Sequence, residues 1–315
     1  MLIALLACVI GLVLLVWSAD RFVAGAAGLA LRLGMTPMTV GLTLVAFGTS
    51  APEILVSATA ALTGSSDLAI GNALGSNIAN IGLVLALTLI ARPILITADT
   101  RHQDLPVYLL VALLAGLFLL DGHLSRQDGI LLLAAMALIG TLMWYFRRAR
   151  PEAAEVEIPE HGSTTGRDWW LFISGLVVLL ISARLLVWGA VKLALGLGVS
   201  ETVIGLTLIA AGTSLPELAA SVAAALRGHA DLAIGNIVGS NVMNLLAVLP
   251  VPALLAPGLI DPALLLRDYP AMLGLSVLLM VLVLAAGRAR LGRLAGLILL
   301  AGYAAYLTLL AAQSL

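Results

Sequence analysis

GLTLVAFGTSAPEILVSATAALTGSSDLAIGNALGSNIAN, Gly41 to Asn80, returns as GLTLIAAGTSLPELAASVAAALRGHADLAIGNIVGSNVMN, Gly205 to Asn244. The copies are identical at 25 of 40 positions and begin 164 residues apart, so the chain carries a duplicated unit. Each copy sets one Glu, a Pro, several Gly and a group of Ser, Thr and Asn into otherwise apolar sequence. A carboxylate in such surroundings is expensive, and where one is kept inside a membrane it marks a functional site.

The surroundings are those of a membrane protein. Of 315 residues, 62% are hydrophobic and 10% are charged, against roughly 25% charge in soluble domains. The net charge of -1 argues against nucleic acid as a partner. Cys8 is the one cysteine, so no intrachain disulfide forms. Leu5-Leu6-Ala7-Cys8 has the form of a lipoprotein box, but no Lys or Arg precedes it and the apolar run continues to Trp17. It reads as the first transmembrane helix rather than a cleaved leader.

A span needs about 20 apolar residues. Ten segments qualify: roughly 2–19, 37–63, 67–91, 105–121, 127–146, 169–188, 202–226, 231–256, 269–286 and 292–312. The expected breaks include Ser18 to Arg21 and Thr97 to Asp104. Residues 147–168, acidic at Glu152, Glu155, Glu157 and Glu160, read as an exposed linker between a first unit, 1–146, and a second, 169–315. Five spans per unit means that the second motif enters the membrane from the opposite side to the first. The expected fold is therefore all-α and polytopic, with ten transmembrane helices arranged as two inverted five-helix repeats.

Lys and Arg orient it. With the N-terminus outside, Arg21, Arg32, Arg92, Arg101, Arg147, Arg148, Arg150, Arg167, Arg227, Arg288, Arg290 and Arg293 are cytoplasmic. Only Arg126, Arg184, Lys192 and Arg267 are outer. Both termini are thus expected outside and the linker inside. Trp17, Trp144, Tyr145, Trp169, Trp170 and Trp188 fall near span ends, where amphipathic rings belong.

The first half of each motif reads G-T-S-x-P-E, Gly48 to Glu53 and Gly212 to Glu217. Pro removes a donor and clashes with the preceding turn, so the helix should break at mid-membrane. The carbonyls of Ala46, Thr49, Ala210 and Thr213 are expected to be freed into the interior. Irregular backbone at that depth is tolerated where it lines a site. Ser50, Glu53 and Ser57 share a helical face, as do Ser214, Glu217 and Ser221. The second half reads G-N-x-x-G-S-N-x-x-N. It places Asn72, Ser76 and Asn80 on one stripe and Asn236, Ser240 and Asn244 on its twin, while Gly71, Gly75, Gly235 and Gly239 permit close packing.

Carboxylates, hydroxyls, amides and carbonyls make an inventory of hard oxygens, without His, Cys or Met at ligand spacing. Such ligands suit Na⁺ and Ca²⁺ and do not favour copper or zinc. Two carboxylates balance one divalent or two monovalent ions. A flexible mixed-oxygen cage suits Ca²⁺ better than Mg²⁺, which gives up water reluctantly.

These paired motifs resemble the alpha-repeats of the cation/calcium exchanger superfamily, and the chain is similar to its prokaryotic sodium/calcium exchangers. The resemblance implies that Glu53 and Glu217 coordinate Ca²⁺ and Na⁺ in alternation. It implies further ligands at Ala46, Thr49, Ser50, Ser76, Ala210, Thr213, Ser214 and Ser240. The last motif position is Asn80 in one copy and Asn244 in the other. Some family members, potassium-dependent ones included, carry Asp there. Its absence here speaks against K⁺ coupling and removes a titratable group.

Plainer readings stand beside these. The motif glycines are read as packing, and Ser57 and Ser221 either join the site or bond their own backbone. Asp67 and Asp231 are read as helix caps or dipole partners. His102, His123, His161 and His229 are read as solvated, and Glu201, Asp99 and Asp104 as interfacial. The functional expectation is a secondary antiporter in a prokaryotic inner membrane. It would use Ca²⁺ and Na⁺ as substrates, with no cofactor, no catalytic residues and no obligate protein partner. Rivals are a proton-coupled exchanger, a cation channel and, with least support, a membrane enzyme.

Overall fold

The computed structural model describes residues 1–148, 164–197, 210–287 and 289–314. In chain order its helices are α1 (Leu2–Arg32), α2 (Pro37–Thr49), α3 (Ala51–Leu62), α4 (Ser66–Ala91), α5 (Thr100–Leu119) and α6 (Arg126–Arg148). After them come α7 (Thr165–Gly196), α8 (Ala210–Thr213), α9 (Leu215–Leu226), α10 (Ala230–Leu255), α11 (Leu264–Ala286) and α12 (Arg293–Ser314). Among the described residues eight helices are long and apolar enough to cross a membrane, and the pair α2–α3, bent by 41°, makes a ninth. Of the expected span 202–226, α8 and α9 are described, and its beginning lies outside the described residues. Most of the expected linker lies outside them too.

Several expected boundaries move, each for a local reason. Ser18 to Arg21 do not end α1. Ser18 satisfies itself on the carbonyl of Leu15 (3.1 Å), Asp20 pairs with Arg227, and Arg21 lies over the Trp17 ring at 4.1 Å. Arg147 and Arg148 continue α6. At the other side of the linker, Thr164 caps α7 by accepting the Arg167 N–H (3.3 Å), so Arg167 and Asp168 are helical. Asp168 is buried and paired with Arg32. Thr97 accepts the Thr100 N–H (3.2 Å) and starts α5 early, so Asp104 is buried rather than interfacial.

The long outer helices α1 and α7 run antiparallel, and glycines bring their backbones together. A Cβ on Gly11 would sit 2.9 Å from the Leu186 nitrogen, and one on Gly175 would sit 2.6 Å from that of Phe22. Gly25 meets Phe172 and Gly189 meets Cys8. Each pair maps onto the other when 164 is added to one number and subtracted from the other, so the two contacts are related by a local two-fold. Close backbone approach at small residues is how helices associate in lipid, where the hydrophobic effect offers nothing.

At the centre lie α4 and α10, 78% and 72% buried across their apolar windows, against 33% and 28% for α1 and α7. Both contain the second half of a motif. Each passes into a π-helical stretch at its last Asn, Asn80–Leu85 in α4 and Asn244–Val248 in α10. The starts of α5 and α11, Thr100–Asp104 and Leu264–Asp268, are π-helical as well. Such bulges favour functional positions, and here they recur at the repeat offset. Two small antiparallel ribbons close the bundle. Strand β1 (Ile94–Leu95) pairs with β4 (Arg290–Leu291) at one end of α5, and β2 (His123–Leu124) pairs with β3 (Gly258–Leu259) at the other.

Candidate functional site

Both motif helices break at a serine. Ser50 stands between α2 and α3 at φ -81 and ψ 1, and Ser214 stands between α8 and α9 at φ -86 and ψ 5. Pro52 and Pro216 follow within the first helical turn, where a missing N–H costs nothing and the fixed φ favours the new helix. Glu53 and Glu217 come next, in the first turns of α3 and α9. The positive end of the helix dipole therefore faces each carboxylate. Both side chains are buried, each 1% exposed.

Across the first break the Ser50 N–H bonds the Ala46 carbonyl (2.9 Å), and the Ile54 N–H bonds that of Ser50 (3.2 Å). The Ala46 carbonyl is thus not freed as expected, and it also accepts the Thr49 hydroxyl at 3.4 Å. The carbonyl that loses its helical donor to Pro52 is that of Gly48, and its counterpart before Pro216 is Gly212.

The two copies meet at the breaks. Ser50 Oγ donates to Glu217 Oε1 at 3.5 Å. Thr49 Oγ1 lies 3.1 Å from Asn236 Oδ1 and 3.4 Å from Ser240 Oγ. Glycines make this possible. A Cβ on Gly239 would be 2.7 Å from Leu42 and Ala46 atoms, and one on Gly235 would be 2.7 Å from the Met38 carbonyl and 3.1 Å from Gly41. So α10 packs backbone to backbone on α2, the broken helix of the other copy. Gly71 has looser surroundings, with Leu264 Cδ2 nearest at 3.4 Å, and Gly205, the partner of Gly41 by repeat, is outside the described residues.

Within each copy an asparagine stitches the halves together. Asn72 Nδ2 donates to the Glu53 carbonyl (3.1 Å) and to Ser57 Oγ (3.0 Å). Asn236 Nδ2 does the same to the Glu217 carbonyl (3.3 Å) and Ser221 Oγ (2.8 Å). The polar stripe read from the sequence thereby divides. Its first member fixes the glutamate backbone, and Ser57 and Ser221 serve that bond. The remaining members, Ser76, Asn80, Ser240 and Asn244, are buried.

Among the described residues, the buried side-chain oxygens without a hydrogen-bond partner include Glu53 Oε2, Glu217 Oε2, Ser214 Oγ, Asn80 Oδ1, Asn244 Oδ1 and Asn241 Oδ1. The oxygens just named belong to the motifs. A buried oxygen left unpaired costs stability unless something positive sits against it. The two carboxylates also act on one another electrostatically. Buried like charges of this kind need a cation or a proton between them. Thr213 is half-buried beside the second break. Ala210 opens α8, and its side chain lies outside the described set.

Two residues escaped the sequence reading. Asn77 Oδ1 accepts from Asn244 Nδ2 (3.0 Å) and Asn77 Nδ2 reaches Met272 Sδ (3.5 Å), which turns the Asn244 oxygen away as the open end. Asn77 and Asn241 are the N of G-S-N in both copies, and that repetition was the available signal. Of the two roles expected for Asp67 and Asp231, the dipole position holds: both lie in the first turns of α4 and α10, while Ser65 and His229 take the N-cap positions without side-chain cap bonds, and Asp67 also accepts the Asp261 N–H (3.0 Å).

Comparison with known proteins places the whole chain rather than single residues. The family model described as sodium/calcium exchanger protein matches residues 3–145 and 167–312. The putative antiporter CaxA of Alkalimonas amylolytica is 47% identical, covering 98% of this chain and 99% of its own. The inner membrane protein YrbG of Escherichia coli (strain K12) is 40% identical, covering 98% and 97%. The solved structure of the sodium-calcium exchanger NCX_Mj soaked with zero Na⁺ and Ca²⁺ superposes with a TM-score of 0.84 at 33% identity, over 98% of this chain and 99% of that one. This is a multi-pass integral membrane protein whose relatives are exchangers and antiporters rather than enzymes, and the chain belongs to the sodium/calcium exchanger protein family.

Proposed function

We propose that this protein is a secondary antiporter that exchanges Ca²⁺ for Na⁺ by alternating access around Glu53 and Glu217. The observation that carries the reading is the pair of buried carboxylates at two helix breaks, in motifs that hold further buried oxygens without hydrogen-bond partners. Glu53, Glu217, Ser50, Ser214, Thr49, Thr213, Ser76, Ser240, Asn80 and Asn244, with the carbonyls of Ala46 and Ala210, form the ligand set. Hard oxygens replace the hydration shell of Ca²⁺ or Na⁺. One pair of carboxylates cannot serve both loads together, so entering Na⁺ displaces Ca²⁺. No cofactor takes part, because the ion gradient supplies the driving force.

The architecture proposed is ten spans in two inverted five-helix repeats, 1–146 and 169–315, joined by the linker 147–168. The antiparallel glycine contacts of α1 and α7 support the inversion. Both termini lie outside a prokaryotic cell membrane. Arg92, Arg227 and Arg293, all assigned to the cytoplasm by charge, gather at one end through bonds to Leu226, Asp20 and Ile90. A Cys placed at Ser163, with Cys8 removed, should resist an impermeant thiol reagent in intact cells, and ready labelling would invert the orientation.

Coupling rests on the two asparagines. Neither Asn80 nor Asn244 titrates, so the site holds two carboxylates and no third. Ca²⁺ efflux from proteoliposomes with Na⁺, K⁺ or H⁺ supplied singly outside is expected with Na⁺ alone. Efflux driven as fast by H⁺ would replace sodium coupling with proton coupling. A requirement for K⁺ would overturn the reading of the asparagines.

A further inference from the structure

The duplication built the same junction at both ends of the bundle, and the two copies have diverged. Each consists of a ribbon packed on a helix turn opened by a left-handed glycine, Gly64 (φ 82) or Gly228 (φ 91). At the end where β2 pairs with β3, the junction is tied shut. Ser66 Oγ donates to the Ala256 carbonyl (3.0 Å), and Asp67 accepts the Asp261 N–H (3.0 Å). At the β1–β4 end the equivalent positions hold different groups. Ala256 is replaced by Arg92, Asp261 by Thr97, Ser66 by Ala230, and the ribbon position of His123 by Arg290. There a cavity of about 250 Å³ remains, lined by Arg92, Arg290, Thr97 and Asp231 among others.

Its chemistry is specific. Two guanidiniums offer forked donors suited to phosphate oxygens. Arg92 already spends one nitrogen on the carbonyl of Leu226 (2.6 Å), which holds the group in place and leaves its others available. Asp231 supplies one carboxylate to the same wall, with Asp99 within electrostatic reach of it. Leu95, on the cavity wall, and Leu226, beside it, are exposed apolar side chains at a membrane-protein end, where acyl chains would lie. Basic pockets between spans at the cytoplasmic interface are lipid-headgroup sites.

We infer that the cavity between the β1–β4 ribbon and the Gly228–Asp231 turn holds the headgroup of a phospholipid bearing a primary ammonium, with its phosphate on Arg92 and Arg290 and its ammonium on Asp231. Both charged parts of an ethanolamine headgroup are then matched. A choline headgroup has no N–H to donate to Asp231, and a glycerol headgroup has no cation.

The test is lipid retention by the full-length, detergent-purified protein, read by native mass spectrometry in an equal mixture of phosphatidylethanolamine, phosphatidylglycerol and phosphatidylcholine. Phosphatidylethanolamine should be retained in preference. R290Q should weaken retention about fivefold, the equivalent of ~1 kcal/mol per basic residue at a membrane surface. R92K, which keeps the charge and the tie to Leu226, should retain lipid better than R92Q. D231N should shift preference from phosphatidylethanolamine toward phosphatidylglycerol, an outcome that a merely structural role for Asp231 does not produce. R126Q, distant from the cavity, serves as the control. Equal retention by R290Q and wild type would overturn the site. An unchanged lipid preference in D231N would overturn the ammonium assignment, and displacement of lipid by inorganic phosphate at equal concentration would overturn the lipid itself.

Discussion

Glu53→Gln and Glu217→Gln are each expected to lower Ca²⁺ flux in proteoliposomes by at least about a hundredfold, the order set by leaving a buried charge uncompensated. The amide keeps the volume of the side chain, so expression and folding should survive. What it removes is half of the charge that offsets dehydration of a divalent ion. The two substitutions should differ in detail. Glu217 receives the hydroxyl of Ser50 across the repeat boundary, so E217Q also weakens a contact between the halves. Flux within a few-fold of wild type in either variant would remove that carboxylate from the proposed ligand set.

The second large effect is steric. Gly239→Ala should destabilise the protein by about 1–3 kcal/mol, the usual cost of overpacking a tight contact. The new methyl would lie 2.7 Å from Leu42 Cα and its carbonyl, and neither backbone can step aside without moving α10 from α2. That movement would also separate Ser240 from Thr49, now 3.4 Å apart, so transport should fall with stability. Gly140→Ala is the matched control. Nothing lies within 4 Å of a Cβ there, and Ala is the better helix former by roughly 0.5–1 kcal/mol. Thermal unfolding in detergent should move the two variants in opposite directions. A G239A protein as stable as wild type would mean that the close crossing of α10 on α2 is wrong.

What could be read from the chain alone was whatever local covalent chemistry or repetition dictates. Pro52 and Pro216 each weaken the helix locally, and the break expected there lies within a turn before each glutamate. The duplication marked the polar positions, because drift erases residues that serve one copy only. Roles that depend on a neighbour from another helix were out of reach. Asn72 and Ser76 look alike as polar residues one turn apart, yet Asn72 reaches back to the Glu53 carbonyl. Thr49 meets Asn236 across 187 residues of chain. Asp104 was read at the interface because charged residues usually stay wet. Its repeat partner Asp268 is buried too, held by Arg267 (2.9 Å) and the Tyr306 hydroxyl (2.8 Å). The π-helical stretches hardly disturb hydrophobic periodicity, although three of them, Thr100–Asp104, Asn244–Val248 and Leu264–Asp268, end two residues before a proline, at Pro106, Pro250 and Pro270.

The central claim is that Ca²⁺ and Na⁺ compete for one site built on two carboxylates. Equilibrium binding of radioactive Ca²⁺ to the purified protein, titrated with Na⁺ at constant ionic strength, tests it most directly. Na⁺ should displace Ca²⁺ completely and with a slope steeper than one for one, because two monovalent charges replace a divalent one, while the same concentration of choline should displace none. Ca²⁺ that stays bound at saturating Na⁺, or that choline removes equally well, would contradict a shared site.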